Sequence, residues 1–358
     1  MTDWLEAGDE SAALEQLHAL GCTDGLPVII PTAERVERMV LASGQAADMV
    51  LGTMGPGLGV ATIEKVAVAA VMAGCLPDHL PVVIAAVRAV IDPAFDLTEM
   101  QATTHCTAPL VMVSGRAREE CGGVASGFGA LGPGHRANAS IGRALRLAMI
   151  NIGGGRPGSS DMALHGHPGK FTYCFAEAPD SPFPPLHCAF GMDADDTAVT
   201  VIGAEAPHSV IFSGSGDPDT DEDALLTALS AGLAGIASNN ATLTGGQAVL
   251  VLNPDHAKLF AAQGRSREDV QIALHARCAH PLSAVRRVAP GLLPPGDDDR
   301  VHHAFAEPAD ILVTVAGGSG LYSMVMPTWC AGPHRNRAVC QAIELDVFCE
   351  IPGLAGAS

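Results

Sequence analysis

The chain has 358 residues, of which 48% are hydrophobic and 16% charged, and its formal net charge at pH 7 is −19. A chain of this length can bury a large core, which we expect to be divided between two lobes. The acidic balance argues against binding to nucleic acid and to anionic membrane surfaces, because both are themselves negatively charged.

The first helix is predicted over Glu10–Leu20, and the pattern then alternates between strands and helices up to residue 135. Two helices in this region, Ile63–Ala73 and Leu80–Ile91, have near-continuous Ala and Val faces, which indicates burial on both sides. A further helix is predicted over Thr32–Ala42, and the predicted strands are Val28–Ile30, Asp48–Thr53, Glu99–Thr103 and Leu110–Ser114.

A helix over residues 138–152 follows a glycine-rich loop, with Asn138 as its predicted N-cap. Downstream, the predicted strands are Phe171–Phe175, Ala198–Ile202, Ala248–Leu252, Ile311–Val315 and Tyr322–Met326, and the predicted helices are Asp223–Ile236, 255–262 and 267–278. The alternation predicts an α/β fold of two closely packed lobes with mixed sheets flanked by helices. The expected segments are an N-terminal lobe (1–135), a central active-site segment (136–195), a second lobe (196–326) and a C-terminal arm or tail (327–358).

A weak internal repeat fits this division. Residues 109–122 and 248–264 both follow a helix and run from an apolar strand into a second helix, and another strand leads to a glycine turn at residues 311–320. Such repetition is consistent with duplicated α/β units whose sites lie at the carboxyl ends of strands.

The cysteine pattern and the apolar runs bear on the compartment. Ten cysteines are scattered without the short paired spacing of zinc ribbons or redox motifs. Residues 1–15 lack a basic region followed by an apolar one, and the apolar run Val66–Leu76 is shorter than the roughly 18–20 residues that span a membrane. We therefore expect a cytoplasmic protein with reduced thiols, and the 40 glycines and low charge favour a tightly packed homo-oligomer.

Between Cys121 and Ala176 the acidic chain has a local excess of positive charge. Asp161 is the one acid in this stretch, which contains the cations Arg136, Arg143, Arg146, Arg156 and Lys170. The excess predicts a site for a small anion. Arg136, Asn138 and the free amides at the start of the 138–152 helix would form it, with Arg156 and Lys170 adding contacts. Arg143 and Arg146 are expected to solvate the outer face of the helix.

Cys22 and Asp24 lie in a turn bracketed by Gly21 and Gly25. A cysteine exposed in such a turn can act as a nucleophile when a nearby cation or base lowers its pKa, and the candidates for that group are His105, His167 and Arg156. The alternative is that Asp24 caps backbone amides of the turn while Cys22 packs inward, since cysteine is among the most buried residue types.

Histidines supply candidates for proton transfer. His105 precedes Cys106, and His165 and His167 are two residues apart. His165 and His167 could form a metal site with Asp161, but no established signature such as HExxH is present. We therefore predict no cofactor and assign proton transfer to His105 and His167, with metal binding as the fallback. Two further candidates for substrate binding follow a predicted strand and a predicted helix: His208 and Asn239.

Several motifs resemble those of a largely uncharacterised bacterial family with an N-terminal Cys-Thr-Asp-Gly-Leu-Pro motif. The resemblance extends from about residue 20 to about residue 325. The matching motifs are Cys22–Val28, Ala61–Lys65, Gln101–His105, Arg136–Asn138, residues 165–174, Gly203–Glu205, Pro207–His208 and Ser238–Asn240. Members are associated with, or fused to, a small domain named after a Sec/Cys-Gly-Ser-Cys (UGSC) motif. The resemblance thus implies thiol chemistry and supports a role for Cys22.

Two departures from that family matter. The chain has no Cys-Gly-Ser-Cys run, so a UGSC-type thiol or selenol partner would be a separate polypeptide. Cys106 stands where a proline is expected, which argues against an essential role for this thiol.

The sequence as a whole predicts a small-molecule enzyme acting on an anionic substrate. The reaction would be that of a lyase or hydrolase, with thiol oxidoreduction as a further class, using Cys22 and Asp24 together with His105 or His167. Two alternatives remain open: a metal-dependent hydrolase or lyase using the His165–His167 segment, and a non-catalytic binding subunit of a thiol or selenol partner.

Overall fold

The computed structural model describes residues 4–243, 245–293 and 297–345, which form an α/β fold. The helices in these ranges are α1 Glu10–Ala19, α2 Ala33–Ala42, α3 Ile63–Ala73, α4 Leu80–Ile91, α5 Leu97–Ala102, α6 Ala117–Glu120, α7 Arg136–Asn151, α8 Pro218–Leu233, α9 Asn239–Leu243, α10 Pro254–Ala262, α11 Arg267–Arg277 and α12 Leu282–Val288. The strands are β1 Val50–Met54, β2 Gly59–Thr62, β3 Ala108–Ser114, β4 Cys174–Ala176, β5 Ala198–Ala204, β6 His208–Ile211, β7 Ala248–Leu252, β8 Ala279–Pro281, β9 Val301–His303, β10 Ile311–Val315, β11 Tyr322–Pro327 and β12 Val339–Ala342.

Within the described ranges, two four-stranded sheets share one strand pattern. Their orders are β12-β5-β3-β4 and β10-β7-β11-β6. An inner strand (β3 or β7) is parallel to an edge strand (β4 or β10) and antiparallel to its other neighbour (β5 or β11). The fourth strands are exchanged between the sheets: β6, which follows β5 in the chain, pairs with β11, and β12, which follows β11, pairs with β5. This repeated topology is what duplicated units would produce.

The two sheets pack face to face and helices cover their outer faces. Side chains alternate between the faces of a strand, so neighbouring residues belong to different layers. Met112 of β3 lies in the apolar cluster between the sheets with Val251 of β7. Val113 instead packs in the cluster that contains α3, α4 and α7, and Leu250 in the cluster that contains α8 and α11. The described chain thus has four layers: helices, sheet, sheet, helices.

Several predicted elements differ from the observed ones. Val28–Ile30 is extended but is not a strand, although the Ile29 amide donates to the Met72 carbonyl at 3.2 Å. The predicted strand at residues 99–103 lies mostly in helix α5, where Leu97, Met100 and Gln101 bury one face at helical spacing. The predicted strand at residues 171–175 begins only at Cys174, because a 3-10 turn occupies Pro168–Lys170. The helix predicted at 223–236 is α8, which begins and ends earlier.

The predicted C-terminal arm contributes to the first sheet. Residues 339–342 form β12, which pairs antiparallel with β5, and Trp329 and Cys330 are buried. The end of the predicted arm, residues 346–358 with Cys349, lies outside the described residues. Within the described ranges, no helix has the length and apolar character to cross a bilayer.

Candidate functional site

Ionisable side chains gather at the edge of the first sheet where β3 and β4 begin and β5 ends. Because β3 and β5 are antiparallel and Ala108 pairs with Ala204, the residues just before β3 meet those just after β5. The loop before β4 and one face of α7 complete the group. We call it the sheet-edge cluster; it comprises His105, Cys106, Arg146, Asp161, His167, Lys170 and Glu205.

His105 and Glu205 form the central pair of the sheet-edge cluster. His105 Nε2 lies 2.8 Å from Glu205 Oε1, and the two side chains are 23% and 31% exposed. An ionised carboxylate only accepts hydrogen bonds, so His105 donates from Nε2. In the neutral ring Nδ1 then has a free lone pair. His105 Nδ1 is buried and has no hydrogen-bond partner among the described residues.

His167 has the complementary arrangement of its ring nitrogens. Its Nδ1 accepts from the Gly169 amide at 3.1 Å, so the neutral ring is protonated at Nε2. Nε2 is buried and faces the Ala204 carbonyl, which raises the pKa of the ring, but within the described residues this contact falls outside the geometry of a normal hydrogen bond. Burial, reinforced by the positive charge of Lys170, lowers the pKa of His167 to about 4, so its ring is neutral at pH 7.

Lys170 and Arg146 share the carboxylate of Asp161. Lys170 Nζ lies 2.7 and 2.6 Å from the two carboxylate oxygens, and Arg146 Nη1 lies 3.7 Å away. Burial lowers the pKa of Lys170, whereas its hydrogen bond to Asp161 opposes that shift. With two cations for one carboxylate, these three side chains have an excess positive charge beside His167. The predicted solvent-facing role of Arg146 is wrong, since Arg146 is buried and also donates from Nε to the Lys170 carbonyl at 2.6 Å.

The thiol of the sheet-edge cluster is Cys106. Its Sγ accepts from the His165 amide at 3.4 Å, and the thiol lies close enough to Lys170 to interact with it electrostatically. One residue further on, the buried Thr107 Oγ1 has no hydrogen-bond partner in the described structure. An unpaired buried polar atom costs about 1–3 kcal/mol, and Thr107 Oγ1 is the third such atom near the start of β3, after the two imidazole nitrogens. Several unsatisfied polar atoms on neighbouring segments are expected where a ligand or water completes the site.

The turn that contains Cys22 is fastened to α7 and to the segment after it. Asp24 accepts from Arg143 Nε and Nη2, both at 2.8 Å, and its side chain is 4% exposed. Asp24 Oδ1 also accepts from the Leu26 amide at 3.2 Å, as the capping interpretation predicts. Arg156 Nη1 donates to the Gly21 carbonyl at 2.8 Å. Arg143 therefore anchors the turn, and its predicted role in solvating the helix is wrong.

Cys22 is half-buried and lines a cavity of about 580 Å³, separate from the sheet-edge cluster in its lining residues. Asn151 Nδ2 donates to the Cys22 carbonyl at 2.9 Å. Among the described residues, Cys22 Sγ makes no hydrogen bond to His105 or His167. The structure therefore does not bring the predicted thiol and the predicted histidines together.

The predicted anion site does not form around the start of α7. Arg136 is the first residue of the helix and donates to the Gly74 carbonyl from Nε and Nη2 at 3.1 and 3.0 Å. Arg156 follows the other end of this 16-residue helix, which is about 24 Å long, so Arg136 and Arg156 cannot bind the same small molecule. The N-cap is His135, whereas buried Asn138 ties the preceding loop to the helix by bonds to Ala125 and Ala130.

The remaining predicted site residues are dispersed. His208 is exposed at the start of the edge strand β6. Asn239 begins α9 and donates to the Thr328 carbonyl at 3.2 Å and to Cys330 Sγ at 3.0 Å. Of the fallback metal ligands, His165 is exposed, and the described residues contain no group of three or more His, Cys, Asp or Glu side chains arranged to hold a metal.

Sequence reasoning gave no role to two groups at this edge of the sheet. The sequence places Glu205 in the Gly203–Glu205 motif, and Tyr173 in a predicted strand and in the motif at residues 165–174. Tyr173 donates its hydroxyl to the Glu205 carbonyl at 2.8 Å, and its ring contacts His167 edge to face with centroids 5.7 Å apart. The signal that could have found Tyr173 is rarity, since the chain has two tyrosines.

Comparisons with protein-family models and with curated proteins give no match for this chain. The resemblance of its short motifs to the UGSC-associated family therefore stays a prediction. The geometry of the sheet-edge cluster is therefore the only basis for assigning a function.

Proposed function

We propose that this protein is an enzyme that carries out general acid–base catalysis on a small anionic molecule in the sheet-edge cluster. The observation that supports this most is the complementary state of two unpartnered imidazole nitrogens. His105 has a lone pair at Nδ1, and His167 has a proton at Nε2. Glu205 is hydrogen-bonded to the first ring and acts electrostatically on the second.

His105 is the proposed general base. When its Nδ1 takes a proton from the substrate, the ring becomes an imidazolium that still donates from Nε2 to Glu205. The carboxylate stabilises that positive charge and fixes the ring orientation, as a carboxylate partner does for a catalytic histidine elsewhere. The His105 and Glu205 side chains are partly open to solvent, whereas Nδ1 itself is buried, so a local rearrangement of the sheet edge must expose this atom to the substrate.

We assign to His167 and the neighbouring cations the stabilisation of the negative charge that develops on the substrate. A neutral imidazole with its proton on Nε2 donates a hydrogen bond to a substrate oxygen without itself being charged. The excess positive charge of Lys170 and Arg146 stabilises an oxyanion that develops during the reaction. A base together with such donors suits removal of a proton from a carbon next to a carbonyl or carboxylate. Of the expected classes, this favours a lyase over a hydrolase.

A thiol step, if the reaction has one, is assigned to Cys106. Cys106 lies in the sheet-edge cluster, where its Sγ accepts from the His165 amide, whereas Cys22 lines a different cavity. This assignment transfers the predicted nucleophile from the Cys22 turn to the sheet-edge cluster.

A turnover screen tests the proposal. Wild-type protein and the variants His105→Gln and His167→Gln are incubated with pooled small carboxylates and phosphorylated metabolites, and depletion is followed by mass spectrometry. General acid–base groups contribute roughly 10²–10⁴-fold, so each variant should lose at least about 100-fold in rate. His303→Gln, at an exposed position on β9, is the matched control and should retain full activity. Ligand binding without any turnover would support the binding-subunit alternative, and full activity of His105→Gln would refute the proposal.

A further inference from the structure

A second ligand-sized space lies between α1 and α3, outside the sheet-edge cluster. The cavity beside Cys22, of about 580 Å³, is bounded by Leu17 of α1, by Leu20 just after it, and by Val68 and Met72 of α3. This volume falls within the range of roughly 300–1,000 Å³ that small-molecule sites occupy.

The walls of this cavity are mostly apolar on both sides. On α1, Ala13, Gln16, Leu17 and Leu20 follow the spacing of one helix face, and that helix is packed loosely, with its side chains exposed or only half-buried. Protein interiors are normally packed as densely as organic crystals, so facing helices usually close such a gap. Here the described residues leave the gap open, and Trp4, which is 53% exposed, borders it.

Polar groups meet at one end of the cavity. Asn151 Nδ2 donates to the Cys22 carbonyl at 2.9 Å, and the next residue, Ile152, lies against Gly59. Lys65 joins them from α3 and donates from Nζ to the Val60 carbonyl at 2.8 Å. Among the described residues that line the cavity, Lys65 is the one with a charged side chain, and no carboxylate opposes it. In a chain of net charge −19, an apolar cavity with an ammonium at its polar end is complementary to an amphipathic anion.

We propose that this cavity binds a carboxylic acid with an extended apolar chain, for which octanoate is a suitable probe. The chain would lie between Leu17 and Met72, and the carboxylate would contact Lys65 at the end where Cys22 is located. This site goes beyond the proposed acid–base function and does not depend on it. The variant His105→Gln should therefore bind the acid as tightly as wild type does.

Fluorescence quenching by 8-bromooctanoate tests this site, because its heavy atom quenches a tryptophan in contact with it. Trp4 borders the cavity, whereas Trp329, the second tryptophan of the chain, is buried elsewhere. Wild-type fluorescence should fall in a saturable manner, and Trp4→Phe should abolish the saturable part. Octanoate should compete, and octylamine, with the same chain and the opposite charge, should not. Lys65→Met should raise the dissociation constant about fivefold, as expected for a partly exposed ion pair.

Alkylation of Cys22 gives a second, independent readout. Octanoate should slow the reaction of Cys22 with iodoacetamide in wild type and in His105→Gln, but not in Val68→Phe, whose added ring fills the cavity. Val301→Phe, at an exposed position of β9, controls for a general effect of the substitution and should keep the protection. If Val68→Phe does not fold, the quenching experiment on wild type and Trp4→Phe is sufficient to test whether the cavity binds the acid. Non-saturable quenching, or equal competition by octylamine, would overturn the proposal.

Discussion

The ion pairs of Asp161 give the sharpest stability prediction. Asp161→Asn keeps the size of the side chain but removes the charge that Lys170 contacts at 2.6 Å and Arg146 at 3.7 Å. The Asp161 and Arg146 side chains are 7% and 9% exposed, so water cannot replace the lost carboxylate. Removing one partner of a buried ion pair costs about 3–5 kcal/mol. Lys170, whose pKa is already lowered, can relieve part of this cost by losing its proton, so we expect about 3 kcal/mol.

Urea unfolding followed by circular dichroism measures this loss. Asp195→Asn, at an exposed position, is the matched control and should change the free energy of unfolding by less than about 0.5 kcal/mol. In the double variant Asp161→Asn with Lys170→Met, the uncompensated ammonium is gone. The double variant should therefore be more stable than the Asp161→Asn single variant. A loss below about 1 kcal/mol for Asp161→Asn, or no recovery in the double variant, would refute the argument that these charges are buried and coupled.

Two further predictions concern His167 and Asn138. The folded-state pKa of His167 is about 4 against 6.5 for the free group, so between these pH values the unfolded ring binds a proton that the folded ring does not. Stability should therefore fall as pH drops from about 6.5 to about 4, by about 1–2 kcal/mol once partial solvent screening is included, and urea titrations of His167→Gln should lack that component. Asn138→Ala removes the side-chain hydrogen bonds to Ala125 and Ala130 and leaves buried groups unpaired, so it should lower the free energy of unfolding by about 2–4 kcal/mol. A loss under 1 kcal/mol in the same urea assay would mean that the loop does not depend on Asn138.

The α/β class and the buried helices could be predicted from the sequence because their signals are local. The bounds of α3 and α4 agree with the prediction, since continuous Ala and Val faces end at Gly74 and at Asp92. The β3 and β7 segments were likewise evident as apolar runs. The stacking of these strands into two adjacent sheets could not be predicted. Both faces of each strand are apolar, and a pattern without alternation cannot show which layer each face contacts.

The site was harder to predict because its contacts join distant parts of the chain. The charge excess around α7 indicated an anion site, but most of these cations are already paired with carboxylates: Arg143 with Asp24, and Arg146 and Lys170 with Asp161. Counting charges along the sequence cannot reveal such pairing. Glu205 lies 100 positions after His105, and only the antiparallel pairing of β3 with β5 brings them together.

The protonation states of His105 and His167 test the central claim most directly. Nitrogen-15 NMR of histidine-labelled protein at pH 7, with the two rings assigned from His105→Gln and His167→Gln, distinguishes a protonated from an unprotonated ring nitrogen. We predict that both neutral rings have the proton on Nε2, which leaves His105 Nδ1 as a base and His167 Nε2 as a hydrogen-bond donor. A proton on Nδ1 of the neutral His105 ring, or on Nδ1 of His167, would remove the complementary pair and contradict the proposed acid–base site.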